Sequence, residues 1–524
     1  MSKVVLYDTT LRDGAQREGL SLSVEDKLKI TLALDRLGLY YIEGGWPHPS
    51  NPKDTEYFRR MKKVTLKSAK LVSFGSTRRK NAKAEEDANL RALVKAKTPC
   101  VCIFGKSWAL HVTTTLVTTL DENLKMIFDS VSFLKNQGLE VVYDAEHFFD
   151  AYKDEPSYAL KTLKKAEEAG ADWLVLCDTN GGTLPRDIKK IVSEVKKITK
   201  APLGIHAHND IECGVANSLE ALEEGAEQIQ GTMNGYGERC GNANLTSIIP
   251  NLILKMGIPV IDPERLSMLT EVSHHISEIA NVAPNSHQPF VGESAFAHKA
   301  GVHVSALLRK KGAYEHTDPG IVGNVGHVLV SELSGTQTII EKAKEIGVDL
   351  SGRSEKAADI LKKLKMREHQ GYHYEAADGS FGLFLLKNTG SYRHLFELES
   401  FDVGVNRRRG GKFESDATVK LKVKGERVVE VAEGNGPVNA LDRALRKALE
   451  PVYPRLSKMR LTDYKVRVLD EKKGTTAQVR VLIETADADR SWGTIGVSEN
   501  IIEASWEALV DAIEYGLLYP SFTK

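Results

Sequence analysis

Residues 4–14 read VVLYDTTLRDG: a short apolar run, then a polar turn that closes on Arg12, Asp13 and Gly14. The apolar run suits a strand buried on both faces, because apolar and polar residues do not alternate in it. The turn that follows carries no glycine-rich phosphate loop, which an open nucleotide-binding sheet would place after its first strand. The same unit of apolar run, polar loop and helix-period stretch then recurs along the chain. Strands are predicted at 4–7, 40–43, 70–74, 100–104, 140–143, 173–177, 203–206 and 228–231. Between them lie helical segments such as 25–37, 122–136, 157–169, 186–198 and 215–224. Eight such units within about 250 residues match a (β/α)8 TIM barrel in number and size. An open doubly wound sheet is the rival, and it usually has fewer strands.

The barrel takes up only half of the 524 residues. At roughly 150 residues per domain the length suggests about three parts. Barrel, linker and C-terminal part are read as 1–262, 263–370 and 371–524. Residues 264–281 read as one helix. Residues 282–330, rich in Gly, His and Pro, read as a functional linker, and 331–366 as helices. From about 377 the composition changes to strands such as 381–386, 418–423 and 428–431, followed by a helix at 438–449. Val438-Asn439-Ala440 with Ala444-Leu445 aligns with Ile502-Glu503-Ala504 with Ala508-Leu509, each stretch after a glycine-containing turn. That weak repeat predicts two βββα units in an α+β domain.

Composition narrows the function classes. The 71 basic and 71 acidic residues balance, so charge offers no argument for nucleic acid or membrane binding. Five cysteines without a C-x-x-C pair suggest reduced thiols in a cytoplasmic protein. The start MSKVVLYDTT has no apolar signal core, and no later run is long enough to span a bilayer.

In a TIM barrel the chemistry sits in the loops at the C-terminal ends of the strands. The unusual polar residues fall there: Arg12 and Asp13 after strand one, Glu43 ending strand two, and Asp144 and Glu146 after strand five. Asp178, Thr179 and Asn180 follow strand six, and HAHND at 206–210 ends strand seven. The loop GTMNGYGERCGNANL at 231–245 follows strand eight, with Asn234, Glu238 and Asn242. His206 and His208, two apart on a strand, point to the same side. Such a pair also serves packing, but at a barrel mouth facing Asp13 it suits a metal. Asp13, Asn242 and the two histidines would leave open positions on a Mg, Mn, Co or Zn ion, enough to chelate an α-keto acid. Arg12 is either a structural ion pair, with Glu43 as candidate partner, or a stabiliser of a developing alkoxide. Thr179 either satisfies a turn or holds a substrate carboxylate. Glu146 is either a general base or an organiser of waters and neighbours.

DTTLRDG, the H-x-H strand and the G-x-G-E-x-x-G-N-A loop, in that order on strands one, seven and eight, resemble the DRE-TIM metallolyases. That group holds the isopropylmalate, homocitrate and citramalate synthases and the hydroxymethylglutaryl-CoA lyases. The resemblance implies that Asp13, His206, His208 and, more loosely, Asn242 hold one divalent ion. It makes Arg12 the essential arginine, Thr179 the residue for the keto-acid carboxylate and Glu146 a catalytic glutamate; Asp144 joins Arg12 and Thr179 as a substrate-binding candidate. ESAFAHKAGVHVSALLRKKGAYEHTDP at 293–319 resembles the synthases' linker. There His303 and Tyr314 match residues that reach into a partner subunit's active site, which implies a homodimer. GNGPVNALDRAL at 434–445 and the segment 491–517 resemble the synthases' regulatory domain, implying feedback by an amino acid, isoleucine. SFGSTRR (73–79), FGKSW (104–108) and YDAEHFFDAYKDEPSYAL (143–160) resemble the citramalate branch, whose substrates are pyruvate and acetyl-CoA. Bulkier keto acids, as in the isopropylmalate and homocitrate synthases, are the nearest alternative; a lyase running the reverse cleavage is disfavoured by the C-terminal part, and a non-catalytic amino-acid sensor by the full set of polar residues from Arg12 to Asn242. Gly326-His327 departs from the basic pair expected after Gly323-Asn324, which bears on linker or CoA contacts.

Overall fold

The computed structural model describes residues 4–298, 306–307, 309–310, 312–328, 336–345, 348, 350, 352–374, 377–407, 413–469, 477–488 and 490–519. The chain forms two compact units, residues 1–296 with 316–326 and residues 297–315 with 327–524.

The first unit is a closed barrel of eight parallel strands in sequence order. They are β1 (Val5–Asp8), β2 (Tyr41–Glu43), β3 (Lys70–Ser76), β4 (Cys100–Lys106), β5 (Glu140–Glu146), β6 (Trp173–Asp178), β7 (Leu203–Ala207) and β8 (Ala226–Gly231). Each expected barrel strand overlaps an observed one, with bounds within three residues. The strands bury both faces, which explains their unalternating sequences. Val5, Tyr7, Tyr41, Val72, Phe74, Cys100, Cys102, Val142, Val175 and Cys177 pack in one cluster. Their alternates, such as Leu6, Ile42, Val101, Ile103, Val141, Leu174 and Ile205, join the core that includes the surrounding helices. The helix Pro185–Lys196 shows how the ring is attached: Ile188, Ile191, Val192 and Val195 recur at helical spacing and are buried. Burying each such side chain contributes about 1.5–3 kcal/mol.

Local signals set the helix ends. Ser23 and Asp26 form a reciprocal capping box at the start of Val24–Leu37. The helix expected over 264–281 is divided: a 3-10 turn, Pro263–Met268, leads into an α-helix, Leu269–Ile279. Asp262 accepts the Glu264 N–H and Pro263 opens the turn, so the tight winding starts at the cap.

In the second unit a short parallel pair joins β9 (Ala297–His298) and β10 (His327–Val328). Helices Thr336–Glu345, Ser354–His369 and Asp378–Thr389 precede two three-stranded antiparallel sheets. The first holds β11 (Phe396–Arg407), β12 (Phe413–Val423) and β13 (Glu426–Gly434), and is followed by the helix Pro437–Leu449. The second holds β14 (Arg460–Val468), β15 (Val479–Ala486) and β16 (Ser491–Ser498), and is followed by Ile501–Leu518. These are the two βββα units expected from the repeat. The strand expected at 381–386 is instead part of the helix Asp378–Thr389. FGLFLL is apolar throughout, and a run without period is compatible with either state; burial on several sides decides it. No described helix is long and apolar enough to cross a membrane.

Candidate active site

Three side chains from the ends of strands β1 and β7 meet at the mouth of the barrel. Asp13 Oδ2 lies 3.2 Å from His206 Nε2 and 3.7 Å from His208 Nε2. The two Nε2 atoms are 3.4 Å apart. All three residues are buried, and they are the one group of His, Cys, Asp and Glu with metal-ligand spacing among the described residues.

The surroundings fix which atoms face this point. Gln230, on β8, donates from Nε2 to Asp144 Oδ1 at 3.1 Å. Its Oε1 must therefore accept, and the His206 Nδ1–H donates to it at 2.8 Å. With Nδ1 protonated, Nε2 is the nitrogen that faces Asp13 and His208: protonated it donates to Asp13, and deprotonated it offers the lone pair that a metal ligand needs. Asn242 is 1% exposed, yet neither its Oδ1 nor its Nδ2 has a hydrogen-bond partner. Its backbone forms an isolated bridge with His208. A buried carboxamide without partners, beside an Asp–His–His group, fits a ligand atom for an ion. Gly237 makes the space for it: at φ +154° a Cβ there would sit 2.3 Å from Asn242 Oδ1.

Burial opposes charge throughout the site, but the charges correct one another. Burial pushes the Asp13 carboxyl up, and the Arg12 guanidinium with the His206 hydrogen bond pulls it well below the usual range. Burial disfavours a charged His206, yet its hydrogen bond to Asp13 and the nearby carboxylates raise its pKa. Burial and the neighbouring His206 push His208 down to about 4. Asp144 is pushed up to about 6 by burial.

Arg12 takes part both in structure and in the site. Its Nε donates to Glu43 Oε1 at 2.6 Å, and its Nη1 lies 3.1 Å from Asp13 Oδ2. Glu43 is in turn held by the Tyr7 hydroxyl and by Thr9 Oγ1 at 2.6 Å. The guanidinium stacks 3.8 Å above the Phe74 ring. The ion pair with Glu43 thus fixes the plane of the fork beside Asp13.

Thr179, after β6, accepts the His147 N–H on Oγ1 at 2.9 Å. An accepting hydroxyl still has its own proton to donate. Glu146 ends β5 and pairs with Lys106 at the end of β4, its register partner. Asn234 is occupied, donating to the Ser273 carbonyl at 2.9 Å and to Ser277 Oγ at 3.0 Å. Tyr314 belongs to the second unit and is 48% exposed. His303 lies outside the described residues.

Arg12, Asp13, Asp144, His206, His208 and Asn242 therefore share one connected neighbourhood. Gln230, Tyr7, Thr9 and Lys106 escaped the sequence reading. One signal for them existed: polar side chains at inward-facing positions of barrel strands, such as Gln228 and Gln230, sit where apolar residues would otherwise fill the lumen.

A family model described as HMGL-like matches residues 3–276. A homocitrate synthase post-HMGL domain matches 290–371, and the LeuA allosteric (dimerisation) domain matches 375–517. The (R)-citramalate synthase of Aquifex aeolicus is 53% identical over 518 residues, covering 98% of each chain. That of Geobacter sulfurreducens is 52% identical, covering 99% of this chain and 98% of that one. The 2-isopropylmalate synthase of Methanocaldococcus jannaschii is 30% identical, covering 98% and 94%.

Proposed function

The chain belongs to the (R)-citramalate synthase family, and from that premise we propose that its barrel mouth joins acetyl-CoA to pyruvate, with water, to give citramalate and CoA. The observation that carries the reading is the meeting of Asp13, His206 and His208 beside the Arg12 fork, in a chain aligned end to end with these transferases.

A divalent ion held by Asp13, His206, His208 and Asn242 would supply Lewis acidity at the keto carbonyl. Pyruvate lies with its carboxylate against the Thr179 hydroxyl and its keto oxygen towards Arg12. Asp144 acts behind this pocket through Gln230, orienting His206. A proton leaves the acetyl-CoA methyl group, and the enolate carbon attacks the keto carbon. Arg12, held by Glu43, stabilises the alkoxide that forms. Glu146 serves as base or water organiser at the rim, with Lys106 against it. His303 and Tyr314 assist the proton transfer from the linker of a partner subunit. Water then cleaves the thioester of citramalyl-CoA, releasing CoA and citramalate, a precursor of 2-oxobutanoate and so of isoleucine. In this reading residues 1–262 catalyse, 263–370 link, and 371–524 dimerise and bind isoleucine as a feedback ligand.

A thiol-release assay over pyruvate, 2-ketoisovalerate and 2-ketoglutarate tests the acceptor. Pyruvate should give the highest kcat/KM, Asp13→Ala and His206→Ala should lose turnover, and millimolar isoleucine should slow it. A preference for 2-ketoisovalerate would make the protein an isopropylmalate synthase. Turnover surviving in both variants would remove the metal site from the reaction. Kinetics indifferent to isoleucine and leucine would end the regulatory reading.

A further inference from the structure

Thr179, His208 and Asn242 sit on three different loops, after β6, β7 and β8, and Arg239 touches or adjoins all three. Its Nε donates to Asp210 Oδ1 at 2.7 Å and its Nη2 to Asp210 Oδ2 at 2.9 Å. The same Nη2 donates to the Thr179 carbonyl at 2.8 Å. Asp210 is two residues beyond His208, and Arg239 is three before Asn242. The backbone repeats the tie: Asn209 N–H donates to the Gly241 carbonyl at 2.9 Å, and His208 N–H to the Asp178 carbonyl at 3.2 Å.

The loops are shaped to admit this contact. Gly181, at φ +64°, lies so close that a Cβ there would stand 2.4 Å from Asp210 Oδ2. Arg239 itself takes a left-handed φ of +55°, a conformation a non-glycine residue holds only where its surroundings repay it. The hydrogen bond and charge of Arg239 hold the Asp210 carboxyl below its usual range. The Arg239 side chain is 42% exposed, so the pair contributes little to global stability. A forked bond across loops governs geometry instead, because both planes must align for two parallel hydrogen bonds.

We propose that Arg239, through Asp210 and the Thr179 carbonyl, is a positioning residue that sets the keto-acid carboxylate site and the Asn242 metal ligand in register. This rests on the proposed roles of Thr179 and Asn242. Arg239 touches no reacting atom. Its fork keeps the Thr179 hydroxyl at a set distance from the ion that His206, His208 and Asn242 would share.

The test uses the full-length protein with Arg239→Gln, Asp210→Asn, the double variant and Arg239→Lys. Mn2+ affinity is read by electron paramagnetic resonance titration without substrates, and KM and kcat for pyruvate are read separately. Each single variant should weaken Mn2+ binding about tenfold, the lower range for partners behind a ligand shell. KM for pyruvate should rise by more than kcat falls at saturating Mn2+. The double variant should lose no more than Arg239→Gln alone, because that change already removes the Asp210 contact. Arg239→Lys should recover only part, since an ammonium cannot fork, and it keeps the question open to measurement if Arg239→Gln does not fold. Parental Mn2+ affinity and KM in the single variants, or penalties that add in the double one, would overturn the proposal. The Mn2+ titration needs no turnover, so a failed condensation reaction is distinguishable from a failed clamp.

Discussion

Asp8 ends β1 fully buried, its oxygens accepting the Thr10 N–H at 3.0 Å and the Thr10 hydroxyl at 2.7 Å. Burial outweighs those bonds and pushes the carboxyl up to about 7. The sign follows from the unfolded value near 4. The folded protein keeps this proton longer than the unfolded chain, so the contribution is fully present below pH ~4 and is lost as pH rises through 7. Asp8→Asn, which has no charge to bury, should raise the thermal midpoint over the parent at pH 8, and the gain should shrink towards pH 5. A gain equal at both pH values would refute this assignment. At the same scale, Arg12, Asp13, His206 and His208 were legible because each lies in a contiguous motif at a strand end. Gln230 was not, since its meaning depends on His206 and Asp144 meeting it, 24 and 86 residues away.

Edge strands leave backbone donors without partners, and β16 is one edge of its sheet. Its outward N–H groups are taken by side chains. Gly493 donates to Asp378 Oδ1 at 2.7 Å, Ile495 to Ser380 Oγ at 3.0 Å and Val497 to Glu507 Oε2 at 3.2 Å. Two of the three acceptors lie in the first turn of the helix Asp378–Thr389, the segment whose sequence suggested a strand. Loss of each bond costs about 1 kcal/mol. Replacing Asp378 and Ser380 together by Ala should speed amide hydrogen exchange at Gly493 and Ile495 while leaving Val481 and Ile483, inside the sheet on β15, protected. Equal acceleration on both strands would show that the whole sheet opens and that the capping is incidental. Most barrel helices were legible because their apolar faces repeat every 3.6 residues; 381–386 has no such period to read.

At the scale of the whole molecule, the proposed catalyst is a dimer in which the metal site comes from one chain and His303 from the other. The LeuA allosteric (dimerisation) domain at 375–517 supports pairing of two chains. Asp13→Ala and His303→Ala disable different halves of such a site. Each homodimer should be inactive in the thiol-release assay. Hybrids formed by mixing and exchanging subunits should regain activity, because one of their two sites is assembled from intact halves. A mixture that stays inactive after exchange, shown by size and mass to contain hybrids, would place His303 with its own chain's site.

The sequence by itself determined the eight βα units, the two βββα repeats and the residues at the strand ends, since each of these is written in local periodicity or in a motif of a few residues. Only the tertiary structure decided what surrounds Arg12, Asp13 and the two histidines. The Glu43 brace, the Gln230 link and the Arg239 fork join residues 24 to 86 positions apart, and the Asn242 carboxamide is left without a partner. Barrel closure brings them together, placing strand one beside strand eight and turning polar side chains into a buried space where each needs a partner.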